Sequence, residues 1–212
     1  MKNSAKKIAE YLLQIKAIKL QPSNPFTWAS GWKSPIYCDN RKTLSFPEVR
    51  SFICESFTGL IRELYPEAES IAGVATGAIA HGALVAERLR LPFIYVRSGA
   101  KEHGLGNQIE GYFEPGQKVV VVEDLISTGG SSLGAVRALR EAGVEVLGMT
   151  AIFTYEFSKA SDAFAAGNCA LNTLSNYSVL IETAAETGYI TGDDISTLTE
   201  WRKNPSEWGK NN

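Results

Sequence analysis

Apolar positions along the chain fall into two alternating periods. Ile8, Leu12 and Ile15 recur at helical spacing and predict an amphipathic helix within Met1 to Leu20. Helical spacing returns over Pro47 to Leu64, Ile79 to Leu89 and Leu133 to Ala142, the last stopped by Glu141-Ala142-Gly143. Between these lie short apolar runs at Ser70 to Val74, Pro92 to Val96, Lys118 to Val122 and Val144 to Phe153, which predict strands. Val119-Val120-Val121-Val122 has no polar alternation, as in a strand covered on both faces of a parallel sheet. Strands alternating with helices in this way predict an α/β fold, a doubly wound and mostly parallel sheet flanked by helices.

The ends of the chain read differently. Gln21 to Tyr37 is rich in proline, glycine, serine and aromatics, which predicts a structured loop with short strands. Asn176 to Trp208 carries helical patterns (Val179, Leu180, Ala184, then Ile195, Leu198, Trp201) interrupted by Gly192-Asp193-Asp194, with Trp201 and Trp208 as packing residues. The expected organisation is one domain: residues 1–65 as N-terminal helices and a small hood, 70–175 as the core sheet, and 176–212 as C-terminal helices completing the hood. Within the core, 97–117 stands apart. Arg97 to Gly111 holds four glycines, basic side chains and little apolar content, which predicts a long loop serving as a lid. With Arg97, Lys101 and His103 it would be a cationic lid for a polyanion.

The densest chemistry lies where the valine strand ends. Glu123-Asp124-Leu125-Ile126 leads into Ser127-Thr128-Gly129-Gly130-Ser131-Ser132, and then into a helix. At a strand-loop-helix junction free N–H groups and the positive end of the helix dipole favour a phosphate, and glycines allow close approach. Carboxylates would repel a phosphate at contact distance, so Glu123 and Asp124 point to sugar hydroxyls, a hydrated Mg²⁺ or developing positive charge. The turn contains no lysine, which disfavours a Walker loop, and a dinucleotide fingerprint fails on spacing. Gly130-Ser131-Ser132-Leu133-Gly134 matches the nucleophile elbow of α/β hydrolases, but His81 and His103, the two histidines, both precede the serine, whereas that chemistry needs a histidine after it. A second strand-loop-helix unit, ending Ala75-Thr76-Gly77-Ala78, would bring its loop to the same edge of the sheet.

Composition narrows the setting. A net charge of −2 gives no general attraction to nucleic acid or an anionic membrane. No run approaches the roughly 18 apolar residues needed to span a bilayer. Cys38, Cys54 and Cys169 are odd in number and far apart, as expected of reduced residues in a cytoplasmic protein, and with two distant histidines they make no zinc spacing.

Three stretches carry a family resemblance. Val119 to Ser132 resembles the phosphoribosyl pyrophosphate signature of the type I phosphoribosyltransferases: a hydrophobic strand, two acids, two apolar residues and a hydroxyl- and glycine-rich turn. Phe26-Thr27-Trp28-Ala29-Ser30-Gly31-Trp32-Lys33-Ser34-Pro35-Ile36-Tyr37-Cys38-Asp39-Asn40-Arg41, and the lid with Arg97 and Lys101-Glu102-His103-Gly104, resemble the orotate phosphoribosyltransferases in particular.

The resemblance implies transfer of ribose 5-phosphate from phosphoribosyl pyrophosphate to orotate, with Mg²⁺ held through substrate and water rather than directly by the protein. It also implies a homodimer whose lid serves the partner's site. Leu125 and Ile126 would bind phosphoribosyl pyrophosphate together with Ser127, Thr128, Gly129, Gly130 and Ser131, the last five holding the 5′-phosphate, and Glu123 and Asp124 would bind the ribose. Lys101 and His103, with Arg97, would neutralise the departing pyrophosphate; Lys101, His103 and Asp124 are the expected catalytic residues. Some members carry lysines at the positions of Ala29, Ser98 and Gly77 and an arginine near Tyr155, all absent here. Orotate would then rely on Ser127 and backbone groups, with Lys33 as a weaker candidate. The alternatives are a phosphoribosyltransferase for another nucleobase and a regulator that senses phosphoribosyl pyrophosphate; the latter would need no catalytic lid.

Overall fold

A computed structural model of the chain describes residues 2–97, 99 and 108–209. The elements in order are α1 (Lys2–Gln14), β1 (Ile18–Leu20), β2 (Phe26–Thr27), β3 (Lys33–Ser34), β4 (Ile36–Cys38), a 3-10 helix (Asn40–Ser45), α2 (Pro47–Leu64), β5 (Ser70–Val74), α3 (Ile79–Leu89), β6 (Phe93–Val96) and β7 (Ile109–Glu110). Then follow β8 (Lys118–Ile126), α4 (Gly130–Glu141), β9 (Glu145–Thr154), α5 (Ser158–Ala166), β10 (Leu171–Asn176), α6 (Tyr177–Glu186) and α7 (Gly192–Lys203).

Six of these strands form the central sheet, in the order β10-β9-β8-β5-β6-β7. All its pairings are parallel except β6 with β7. Because side chains alternate across a strand, the valines of β8 serve two cores. Val119 and Val121 pack with Leu133, Val136 and Leu139 of α4 and Phe164 of α5. Val120 and Val122 face the other core, with Leu12 of α1, Phe57 of α2, Val85 of α3 and Leu180 of α6. The amino- and carboxy-terminal segments thus share one apolar core with the sheet, and burial at roughly 25 cal/mol per Å² is its main stabilising contribution.

Four expectations are corrected. The first helix ends at Gln14; Lys16 adopts a left-handed φ of 55°, and Ile18–Leu20 turns back to pair antiparallel with β4. The central strand runs four residues beyond Val122, because pairing with β9 continues to Ile126↔Thr154, so both acids sit on the strand. Inside 97–117 lies β7, which pairs with β6. Gly192-Asp193-Asp194 opens α7, where Asp194 closes a capping box on Thr191. No helix among the described residues is long and apolar enough to cross a membrane.

Candidate active site

Chain direction across the sheet reverses between β5 and β8. From β5 the chain crosses to β6 on one side, and from β8 it crosses to β9 and β10 on the other. The loops after β5 and β8 therefore leave their shared edge in opposite directions, opening a crevice at the carboxyl ends of both strands. The loop 75–78 contains a cis Ala75–Thr76 peptide and folds back until Ala78 N–H reaches Val74 C=O at 3.1 Å. Gly77 faces Asp124 so closely that a Cβ there would lie 2.6 Å from the Asp124 Oδ1. Two loops far apart in sequence meet at that point.

Alternation along β8 sends its two acids to opposite faces. Glu123 goes toward α4 and is 5% exposed. Its Oε2 accepts from Ser132 Oγ at 2.8 Å and its Oε1 from the Asp124 N–H at 2.9 Å. Burial, helped by the charge of Asp124, pushes the Glu123 carboxyl up to about 8. Asp124 is half-buried on the crevice side. Its carbonyl accepts from Asn40 Nδ2 at 2.6 Å. Asn40 is buried and is braced in turn: its backbone carbonyl accepts from Thr43 Oγ1 at 2.5 Å, and Thr43 Oγ1 lies 3.2 Å from His81 Nε2. Since the Thr43 proton goes to Asn40, the His81 Nε2 carries the hydrogen and donates. Burial lowers the His81 pKa, which keeps the ring neutral. His81 stood out in the sequence only as a histidine too early for a hydrolase; its bracing role depends on a contact between α3 and the 3-10 helix that residue spacing does not reveal.

Beyond Ile126 the chain forms the loop 127–131 and enters α4. Gly129 caps the helix at φ +82°, and a Cβ there would come 2.9 Å from the Phe164 ring. Leu133 N–H bonds Gly129 C=O at 2.9 Å, so the N–H groups of Gly130, Ser131 and Ser132 precede the first intrahelical bonds. Those groups, the dipole end and the hydroxyls of Ser127, Thr128 and Ser131 are the ingredients of a phosphate site. Gly130 and Ser131 are exposed, Ser127 and Thr128 half-buried. Leu125 is half-buried, whereas Ile126 lies fully in the core beneath α4, its carbonyl taken by Tyr155 N–H at 3.2 Å. Ile126 therefore supports the loop from below rather than offering its side chain to a ligand.

The hood is the β2–β3 hairpin, fastened by aromatic contacts. Trp28 packs 5.2 Å from Tyr155 and 5.7 Å from Trp201, with its Nε1 donating to Ile36 C=O at 3.0 Å. Trp201 is fully buried among Tyr155, Phe157 and Tyr177, and Trp208 packs, partly buried, against the same core. Lys33 is exposed and donates to Thr27 Oγ1 at 2.9 Å across the hairpin. Arg97 lies 3.5 Å from Glu110 at the base of the expected lid, where Arg97 and Gln108 exchange bonds of 2.9 and 2.7 Å. Lys101 and His103 lie outside the described residues. Arg41, held through its Nε by Asp39 at 2.7 Å, is a further exposed cation beside the Asn40 brace.

Among the described residues no cluster of three or more histidine, cysteine, aspartate or glutamate side chains could hold a metal by itself. One crevice carboxylate, Asp124, with hydroxyls nearby, suits a Mg²⁺ that keeps most of its waters and is carried by substrate oxygens.

Comparison with known proteins agrees with this geometry. The phosphoribosyl transferase domain matches residues 58–182. The orotate phosphoribosyltransferase of Bacteroides fragilis is 61% identical over 208 residues, covering 98% of both chains. That of Porphyromonas gingivalis is 57% identical over 209 residues, covering 99% of this chain and all of its own. In three dimensions, the crystal structure of orotate phosphoribosyltransferase from Aeropyrum pernix superposes with a TM-score of 0.76 at 27% identity, over 87% of this chain and 99% of that one. A domain match over more than half the chain, relatives alike from end to end and a crevice of matching chemistry lead to one statement: this chain belongs to the orotate phosphoribosyltransferase family.

Proposed function

We propose that the chain transfers the ribose 5-phosphate group of phosphoribosyl pyrophosphate to orotate, giving orotidine 5′-monophosphate and pyrophosphate in pyrimidine biosynthesis. The observation that carries this reading is the crevice in which Asp124 stands beside a hydroxyl-rich helix start. A phosphate on Gly130, Ser131 and the Thr128 hydroxyl leaves the attached sugar within reach of Asp124. As the bond at the anomeric carbon lengthens, positive charge grows on the sugar ring and a fixed carboxylate nearby stabilises it. The leaving pyrophosphate gathers negative charge, which Lys101, His103 and Arg97 would neutralise. Closure of that segment would also exclude the water that could otherwise take the sugar. Mg²⁺, when bound, supplies charge neutralisation to the diphosphate. Orotate would sit beneath the hood, near Ser127 and backbone groups, with Lys33 at its edge. The same reading includes a cytoplasmic homodimer in which each lid completes the neighbouring site.

Pyrophosphate release by the purified protein with Mg²⁺ and phosphoribosyl pyrophosphate is expected to require orotate. Tight binding of the donor without any release would instead identify a sensing module.

A further inference from the structure

We infer that Glu156, Ser178 and Arg202 form a polar latch that positions the hood over the acceptor side of the crevice, with Glu156 as its positioning residue. The inference rests on the reading that places the base beneath the hood.

One carboxylate oxygen joins three elements. Glu156 follows β9 at a left-handed φ of 55°, a conformation that a non-glycine residue keeps only where its surroundings hold it. Its Oε2 accepts from Ser178 N–H at 2.8 Å, Ser178 Oγ at 2.6 Å and Arg202 Nη1 at 3.0 Å. Ser178 lies in the first turn of α6, where its N–H has no intrahelical acceptor and the helix dipole favours an anion. Arg202 lies in the last turn of α7; its Nη1 also donates to Ser178 Oγ at 2.9 Å, and its guanidinium sits 5.6 Å from the Tyr177 ring centroid. The end of β9, the start of α6 and the end of α7 are thus tied at one point.

Each member of the latch is the chain neighbour of a ring in the cluster around Trp201. Glu156 lies between Tyr155 and Phe157, Ser178 follows Tyr177, and Arg202 follows Trp201. Trp201 meets Tyr155, Phe157 and Tyr177 at 5.9, 5.5 and 5.7 Å, and it meets Trp28 of the hood at 5.7 Å. Its Nε1 is buried with no hydrogen-bond partner among the described residues, so ring contacts rather than a bond of its own set the place of the indole. The hood strands have two residues each, too few to hold a shape unaided, and Trp28 seats them on Tyr155 and Trp201. A loosened latch therefore shifts Trp201, and with it Trp28 and the hood. Among the described residues, none of the three latch side chains bonds to the loop 127–131, so losing the latch leaves the donor side unchanged.

That asymmetry is the test. KM for orotate and for phosphoribosyl pyrophosphate, and hydrogen exchange of α7, α4 and residues 26–34, are measured for wild type, Glu156→Ala, Glu156→Gln, Arg202→Ala and the double alanine variant. Glu156→Ala is expected to raise the orotate KM about tenfold, the scale of one lost charged hydrogen bond, while kcat and the donor KM stay within about twofold. Exchange should quicken in α7 and the hood but not in α4. Glu156→Gln, which still accepts from the Ser178 N–H, recovers most of the loss. Arg202→Ala also raises the orotate KM, and the double variant does no worse than Glu156→Ala alone, because both act through one oxygen. Equal rises in the two KM values, additive single effects, or an unchanged orotate KM beside faster exchange in α7 each overturn the inference. Should Glu156→Ala fail to melt cooperatively, Arg202→Ala makes the same comparison. If the wild type does not use orotate, the acceptor reading fails on its own account; exchange then decides the latch, and unchanged rates in α7 and the hood overturn it.

Discussion

Gly77 and Asp124 show how much of the site depends on one missing side chain. Asp124 occupies the volume that a Cβ at residue 77 would need. The obstructing atoms are the free end of a side chain, so Gly77→Ala should leave thermal stability within about 0.5 kcal/mol of wild type while displacing the carboxylate. A misplacement near 1 Å costs on the order of 10- to 100-fold in rate, so kcat/KM should fall by that much; an unchanged kcat/KM would remove Asp124 from the chemistry. Gly129→Ala differs in kind. At φ +82° and with the Phe164 ring 2.9 Å from the new Cβ, it should cost about 1–3 kcal/mol of unfolding free energy in urea titrations as well as phosphate affinity. Glu123 makes a pH prediction. Its folded value of about 8 lies above the ordinary 4.5, so the protonated form favours folding. That contribution is complete below about 4.5 and is lost as pH rises through about 8. The Tm of wild type should decline from pH 5 to pH 8, and Glu123→Gln should flatten the decline; parallel curves for the two proteins would refute it.

Among the elements, those with strong periodicity were readable from residues alone. Ser70–Val74 and Ile79–Leu89 occur with the boundaries their patterns predict, because an apolar run and a helical stripe each meet one core surface. The residue pattern ends β8 at Val122 because Glu123 and Asp124 look like loop residues; pairing with β9 and the hydrogen bond that the Asp124 N–H donates to Glu123 Oε1 outweigh their low strand propensity. β10 and α5 were missed. Leu171-Asn172-Thr173-Leu174-Ser175-Asn176 is an edge strand with a polar, weakly alternating pattern, and α5 is a nine-residue helix with few large apolar residues. The strand-loop-helix junction at 127–131 is legible because its residues are contiguous. The Asn40–Thr43–His81 brace was not, since it joins residues up to 84 positions from the acid that it supports, the Asn40–Asp124 separation. The hood depends on aromatic contacts among three separate segments. Trp28→Ala should therefore destabilise by about 2–4 kcal/mol in thermal or urea unfolding and raise KM for the base more than for the donor. An unaltered KM for the base would place orotate elsewhere.

For the molecule as a whole, the switch point explains why the proposed donor site lies where two loops diverge, and the proposed homodimer would have each lid complete its partner's site. If each lid serves the partner, mixing Lys101→Ala with Asp124→Asn subunits creates hybrids with one site intact. Random pairing makes half the dimers hybrids, so activity should recover to about a quarter of wild type; no recovery would place the lid over its own site. The most direct test of the central claim is selectivity among acceptors. With Mg²⁺ and phosphoribosyl pyrophosphate saturating, kcat/KM should be measured for orotate, uracil, adenine and guanine. Orotate should exceed every other base by at least about 100-fold, the discrimination expected of a site built around its carboxylate and ring edges. Preference for uracil or a purine, or equal use of all four, would contradict the account.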